Sequence, residues 1–142
     1  SEKSATMIRE AIKNRIADLG LSQREICSYA GMREQNLSSF LCGTRSFSMR
    51  KLTALLEILG LTVGDARYVV GKYPPAEIYL AVADRISERG LKLRELSSLC
   101  SVNESSLSLF LKGRRLLELE SLERVMTALG LELVSYGRPQ LL

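Results

Sequence analysis

Displaced by 70 residues, the chain matches itself: residues 12–63 lie over residues 82–133 without a gap, and 18 of those 52 positions are identical. The matches include Gly20/Gly90, Leu21/Leu91, Arg24/Arg94, Glu25/Glu95, Leu37/Leu107, Phe40/Phe110, Gly43/Gly113, Leu59/Leu129 and Gly60/Gly130. Those are positions where a core or a turn needs a particular residue. Self-similarity at one fixed displacement means that one supersecondary arrangement is written twice. The reading is therefore two units, residues 1–70 and 76–142, with a linker at about 71–75. Pro74 and Pro75 in that linker have no N–H donors and force an extended backbone, so no helix crosses it.

Each unit is organised around a pair of short helices, clearest over residues 22–43. Ser22 followed by Glu25 is a capping box, in which each side chain satisfies a backbone N–H at the start of a helix. A helix therefore begins at Gln23, with Ile26, Tyr29 and Ala30 as its apolar face and the small Cys27 allowing close approach of a second helix. Gly31 ends it, because glycine adopts positive φ cheaply, and Met32 fills the corner. A second helix runs from about Glu34 to Leu41. It turns Leu37, Phe40 and Leu41 inward and a short polar face outward: Glu34, Gln35, Asn36, Ser38 and Ser39.

The flanking segments fit a helical bundle. Ile8, Ile12, Ile16 and Leu19 form one stripe from about residue 5 to residue 19, stopped by Gly20. After the loop Thr44-Arg45-Ser46-Phe47, Ser48 caps a helix that buries Leu52, Leu55, Leu56 and Leu59 and stops at Gly60. Residues 61–70 read as a short fifth helix from Asp65 or a brief strand, and residues 131–142 as a strand or a tail. The fold class is all-α, with four to five short helices in each unit.

Gln23, Ile26, Cys27, Ala30, Gly31, Met32, Leu37 and Phe40 resemble, position by position, the helix-turn-helix of the lambda-repressor-like family, also called Cro-type or XRE. The stretch LCGTRSFSMRKLTALLEILGL resembles that family's loop and fourth helix, so the likeness covers about residues 8–61. It implies a transcriptional regulator, most simply a repressor, whose partner is double-stranded DNA read in the major groove. In the family a glutamine at the place of Gln23 holds a phosphate, and the base-reading positions fall on Glu34, Gln35 and Ser39, with Asn36 and Ser38 alongside. Gln and Asn can grip adenine, and Glu can accept from cytosine N4. Arg33, where a capping residue is usual, fits a phosphate or a guanine; Thr44 and Arg45 suit backbone contact.

The second copy departs from this pattern. Leu93 replaces Gln23, Ser101 replaces Gly31 at a place where a side chain in left-handed backbone costs about 1 kcal/mol, and Leu109 replaces Ser39. Its DNA-facing set is Lys92, Asn103, Glu104, Ser105 and Ser106, followed by the more basic loop Lys112, Arg114 and Arg115. The first copy is thus expected to read sequence and the second mostly to grip phosphates. A tandem of this kind serves as an intramolecular pseudo-dimer or forms a further homodimer.

Composition limits the alternatives. Net charge is +4, and residues 1–70 carry ten Lys/Arg against seven Asp/Glu, compared with ten against nine in the remainder. A basic balance permits nucleic-acid binding without demanding it. No run of about 18 apolar residues predicts a membrane span, and the charged start SEKSATMIREAIKNR lacks the apolar centre of a signal peptide, so a cytoplasmic protein is expected. Cys27, Cys42 and Cys100 have no CxxC spacing and read as reduced core residues. Without histidine, a glycine-rich phosphate loop or a nucleophile elbow, no enzyme, metal, cofactor or small-molecule ligand is expected. The competing class is an adaptor or antitoxin-like module that binds another protein, with Leu109, Leu116 and Leu117 as exposed apolar candidates.

Overall fold

The 70-residue displacement of the sequence reappears in the elements of the computed structural model, which describes residues 6–67 and 70–139. The first half contains α1 (Thr6–Leu19), α2 (Gln23–Ala30), α3 (Glu34–Cys42), α4 (Met49–Leu59) and β1 (Leu61–Gly64). A 3-10 turn (Pro75–Glu77) opens the second half, followed by α5 (Ile78–Arg89), α6 (Leu93–Cys100), α7 (Glu104–Leu111), α8 (Leu119–Leu129) and β2 (Glu132–Ser135). The protein is mostly helical, but the two strands correct the all-α expectation. Residues 61–64 and 132–135 are strand, and Ala66 and Arg67 form a turn in place of a fifth helix. Ala5, where the sequence starts the first helix, and Tyr68 lie outside the described residues.

Local chemistry explains the helix ends. The Ser22 hydroxyl accepts from the Glu25 N–H at 3.1 Å, and the Glu25 carboxylate accepts from the Ser22 N–H at 3.1 Å, which closes the capping box. In the second half only one arm exists: Glu95 accepts from the Lys92 N–H, and an ammonium group has no lone pair with which to answer. Gly31 sits at φ 65°, and its counterpart Ser101 at φ 54° is the sole non-glycine with positive φ among the described residues. Ser97 braces this strained turn by donating its hydroxyl to the Val102 carbonyl at 2.6 Å.

The core is built from the predicted stripes. Ile8, Ile12, Ile26, Leu37, Phe40, Leu52, Leu55, Leu56 and Leu59 are buried, as are Val82, Leu96, Leu107, Phe110, Leu122, Val125, Met126 and Leu129. Each such side chain contributes about 1.5–3 kcal/mol relative to exposure. Two expectations are corrected. Tyr29 is 63% exposed, because at 3.6 residues per turn it lies about 110° around the helix from the midpoint of Ile26 and Cys27, which alone face the core. Cys42, the last residue of α3, is exposed, whereas Cys27 and Cys100 are buried and burial raises the pKa of both thiols.

The halves meet through a sheet that neither could form alone. Strands β1 and β2 are antiparallel, with Leu61 opposite Ser135, Thr62 opposite Val134, Val63 opposite Leu133 and Gly64 opposite Glu132. Residue 133 is residue 63 displaced by 70, so the ladder has a local two-fold axis through the Val63–Leu133 pair. The same axis governs the helices, because α1 packs against β2 while α5 packs against β1. The linker joins in: Gly71 donates its N–H to Ser135 at 2.7 Å, and the Thr62 hydroxyl donates to the Tyr73 carbonyl at 2.7 Å. Pro74 and Pro75 do prevent a crossing helix, and Pro75 starts the short turn that leads into α5.

Candidate nucleic-acid interface

Helix α3 is held by α1 and α2, and α7 by α5 and α6, so that one face of each is left to solvent. On α3, Glu34, Gln35 and Ser38 are exposed, and Asn36 and Ser39 are half-buried at the edge of the core. On α7, Glu104 and Ser105 are exposed and Ser106, Ser108 and Leu109 are half-buried. Gln23 is half-buried at the start of α2, and its polar amide makes no hydrogen bond among the described residues. Arg33, at the cap position of α3, is exposed and gives the helix no side-chain hydrogen bond. Asn103 behaves differently: its Oδ1 accepts from the N–H groups of Ser105 and Ser106 at 2.8 and 3.3 Å. That oxygen caps α7 and leaves only the amide NH2 facing outward.

The loops after the two helices differ more than their sequences suggest. Behind α3, the Arg9 guanidinium is 3% exposed and lies 4.9 Å from the centroid of the Phe40 ring. Its Nε donates to the Phe40 carbonyl at 2.7 Å and its Nη2 to the Arg45 carbonyl at 3.1 Å. A cation at the C-terminal end of α3 meets the carbonyls that the helix cannot satisfy itself. Phe47 stacks on Phe40 with centroids 4.2 Å apart and planes 2° from parallel. On this base the Thr44 hydroxyl donates to the Ser39 carbonyl at 3.1 Å, and Arg45 Nη1 donates to Asn36 Oδ1 at 2.7 Å. Arg45, expected to contact a DNA backbone, is therefore joined to the helix face.

In the second half Tyr79 stands at the place of Arg9, Leu117 at that of Phe47 and Ser106 at that of Asn36. No equivalent network forms, and the exposed side chains of Lys112, Arg114 and Arg115 make no hydrogen bond or ion pair among the described residues. Sequence reasoning missed Arg9, although its place beside Ile8 on the buried side of α1 was a usable signal. Of the apolar candidates, Leu116 is 57% exposed, Leu109 is half-buried and Leu117 is buried. The exposure expected of Leu117 is corrected, because it closes the core where Phe47 does in the first half. Leu99 is 65% exposed and occupies the place of Tyr29.

The two loops also approach each other. Residues 46–49 and 116–120 line a cleft of about 370 Å³, and the Ser46 hydroxyl donates to the Glu120 carboxylate across it at 3.2 Å. Because 46–49 and 116–119 are equivalent positions, the cleft lies on the same two-fold relation as the Val63–Leu133 pair. Helices α4 and α8 connect this end to the sheet. The protein matches no protein-family model, no curated protein and no solved structure in the comparisons made.

Proposed function

We propose that the chain is a tandem of two helix-turn-helix units of the lambda-repressor-like kind, binding double-stranded DNA as an intramolecular pseudo-dimer and repressing transcription by occluding a promoter. One observation carries this reading: two polar helix faces open to solvent, each followed by a cation-bearing loop, in halves related by a local two-fold. A duplex is itself two-fold, so rods related in this way suit successive major grooves about 34 Å apart. Helix α3 offers Gln35, Asn36 and Ser39 for base edges, with Gln23, Arg33 and Thr44 at its margins. Helix α7 offers Ser105 and Ser106, and Lys112, Arg114 and Arg115 for phosphates. Tethering raises the effective concentration of the second unit once the first is bound, so two weak contacts give one tight and long site.

Selection of bound duplexes from a random pool, followed by mobility shift across a salt series, tests this. The expected result is one site with unlike halves and an affinity that falls steeply with salt. A second reading is supported by Tyr29 and Leu99, which leave large apolar side chains in solvent at equivalent places on α2 and α6. A protein-binding adaptor would use such a pair, and it would show no retention on duplex DNA or heparin at about 0.15 M salt.

A further inference from the structure

We infer that Arg45 is a positioning residue that fixes which edge of the Asn36 amide faces outward, while the identical arginine of the second half, Arg115, is a phosphate contact. The inference rests on the DNA-binding reading and deepens it. Arginine carries only donors. The group 2.7 Å from Arg45 Nη1 is therefore the Asn36 oxygen, Oδ1, and the amide NH2 is turned the other way. The arginine is itself held from behind, since its carbonyl accepts from Arg9 and its N–H donates to the Ser39 carbonyl at 3.3 Å. Arg9 in turn is anchored on the Phe40 carbonyl and the Phe40 ring. A chain of contacts thus runs from the core of α1 through the loop to one side chain at the edge of the α3 polar face.

An asparagine held in this way presents a donor. In the major groove guanine offers two acceptors, N7 and O6, adenine offers N7, thymine offers O4, and cytosine offers only a donor. The Arg45 cation beside the amide adds to the preference for the acceptor-rich base. Asn36 is accordingly expected to favour guanine and reject cytosine at the base it meets. The second half lacks both the positioned residue and its supports: Asn36 is replaced by Ser106, Arg9 by Tyr79, and the Arg115 side chain has no hydrogen bond or ion pair among the described residues.

The test uses the full chain, the duplex selected by wild type and its single-base variants, with affinity measured over a salt series. Arg45→Ala is expected to reduce guanine-over-cytosine discrimination at one base pair from about tenfold to about twofold, leaving the slope of log affinity against log salt unchanged. Arg115→Ala is expected to lower that slope by about one and leave base preference intact. Asn36→Asp keeps the partner of Arg45 but presents an acceptor, so preference at that base pair should turn toward cytosine. If Arg45→Ala lowers the salt slope, or Asn36→Asp keeps the wild-type preference, the positioning role is wrong and DNA binding stands. If wild type shows no salt-dependent duplex binding, the DNA reading itself fails and this inference falls with it.

Discussion

Val63 lies opposite Leu133 in the two-stranded ladder, so each strand meets there the residue that occupies the same place in the other half. A four-residue strand has no independent stability, and a two-stranded ribbon is marginal even when complete. Each strand therefore depends on the other half of the chain. The halves should unfold together: far-ultraviolet circular dichroism and tyrosine fluorescence are expected to give one coincident urea transition. Val63 is fully buried, and Val63→Ala should move that single transition down by about 2 kcal/mol without splitting it. Two resolved transitions would show that the ladder does not couple the halves.

Asp65 ties the end of β1 to the second half. Its carboxylate accepts from Arg67 Nε at 2.9 Å and from Arg85 Nη2 at 2.6 Å, while Arg85 Nη1 donates to the Leu129 carbonyl at the end of α8 at 2.7 Å. The hydrogen bonds from Arg67, with the nearby Arg85 charge, lower the Asp65 pKa to about 2. A carboxylate depressed in the folded state stabilises it above the unfolded pKa of about 3.9 and loses that contribution as pH falls toward the folded value. Stability should therefore drop between about pH 4 and pH 2. In Asp65→Asn, urea midpoints over this window should fall less steeply than in wild type.

Ser101 keeps the left-handed backbone that Gly31 adopts in the first half. Its side chain is exposed and makes no compensating hydrogen bond among the described residues. Relief of the strain outweighs the extra freedom that glycine gives the unfolded chain, so Ser101→Gly should stabilise by about 0.5–1 kcal/mol. The reverse change, Gly31→Ser, should destabilise by a similar amount. Thermal unfolding of the two variants provides the check, and shifts of equal sign would contradict the assignment.

What the sequence made legible was local. The capping box at Ser22, the glycine stops at residues 20, 31, 60, 90 and 130, and the apolar stripes each have their cause within a few residues, and they appear where expected except at Tyr29, which the sequence placed on the apolar face of α2 and which is exposed. The sheet was not legible, because four residues cannot establish a period and the partner strand lies about 70 positions away. The network at α3 was hidden for a related reason. The place of Arg9 on the buried side of α1 was readable, but its partners, the carbonyls of Phe40 and Arg45, lie 31 and 36 positions away and were not. For the candidate interface, residue types and spacing marked the exposed helix faces. They did not reveal that Asn103 is occupied as a cap, or that Arg45 and Arg115, identical in sequence, have different surroundings.

That difference between the arginines leads to a prediction about the whole site. The α3 face carries Gln35 and an Asn36 held by Arg45, whereas the α7 face carries Ser105, Ser106 and the half-buried Leu109, beside three cations whose side chains have no hydrogen bond or ion pair among the described residues. Base edges can be read by the first set, and phosphates only gripped by the last. Scrambling the half-site under α3 should then cost the affinity that base readout supplies, about 1–3 kcal/mol per contacted pair. Scrambling the half under α7 should cost less than about 1 kcal/mol in total. Gln35→Ala should relax preference only in the first half-site, and Arg114→Ala should weaken binding to all sequences alike while flattening the salt dependence. Equal penalties in the two half-sites would mean that α7 reads bases as α3 does, and that the division of labour between the halves does not exist.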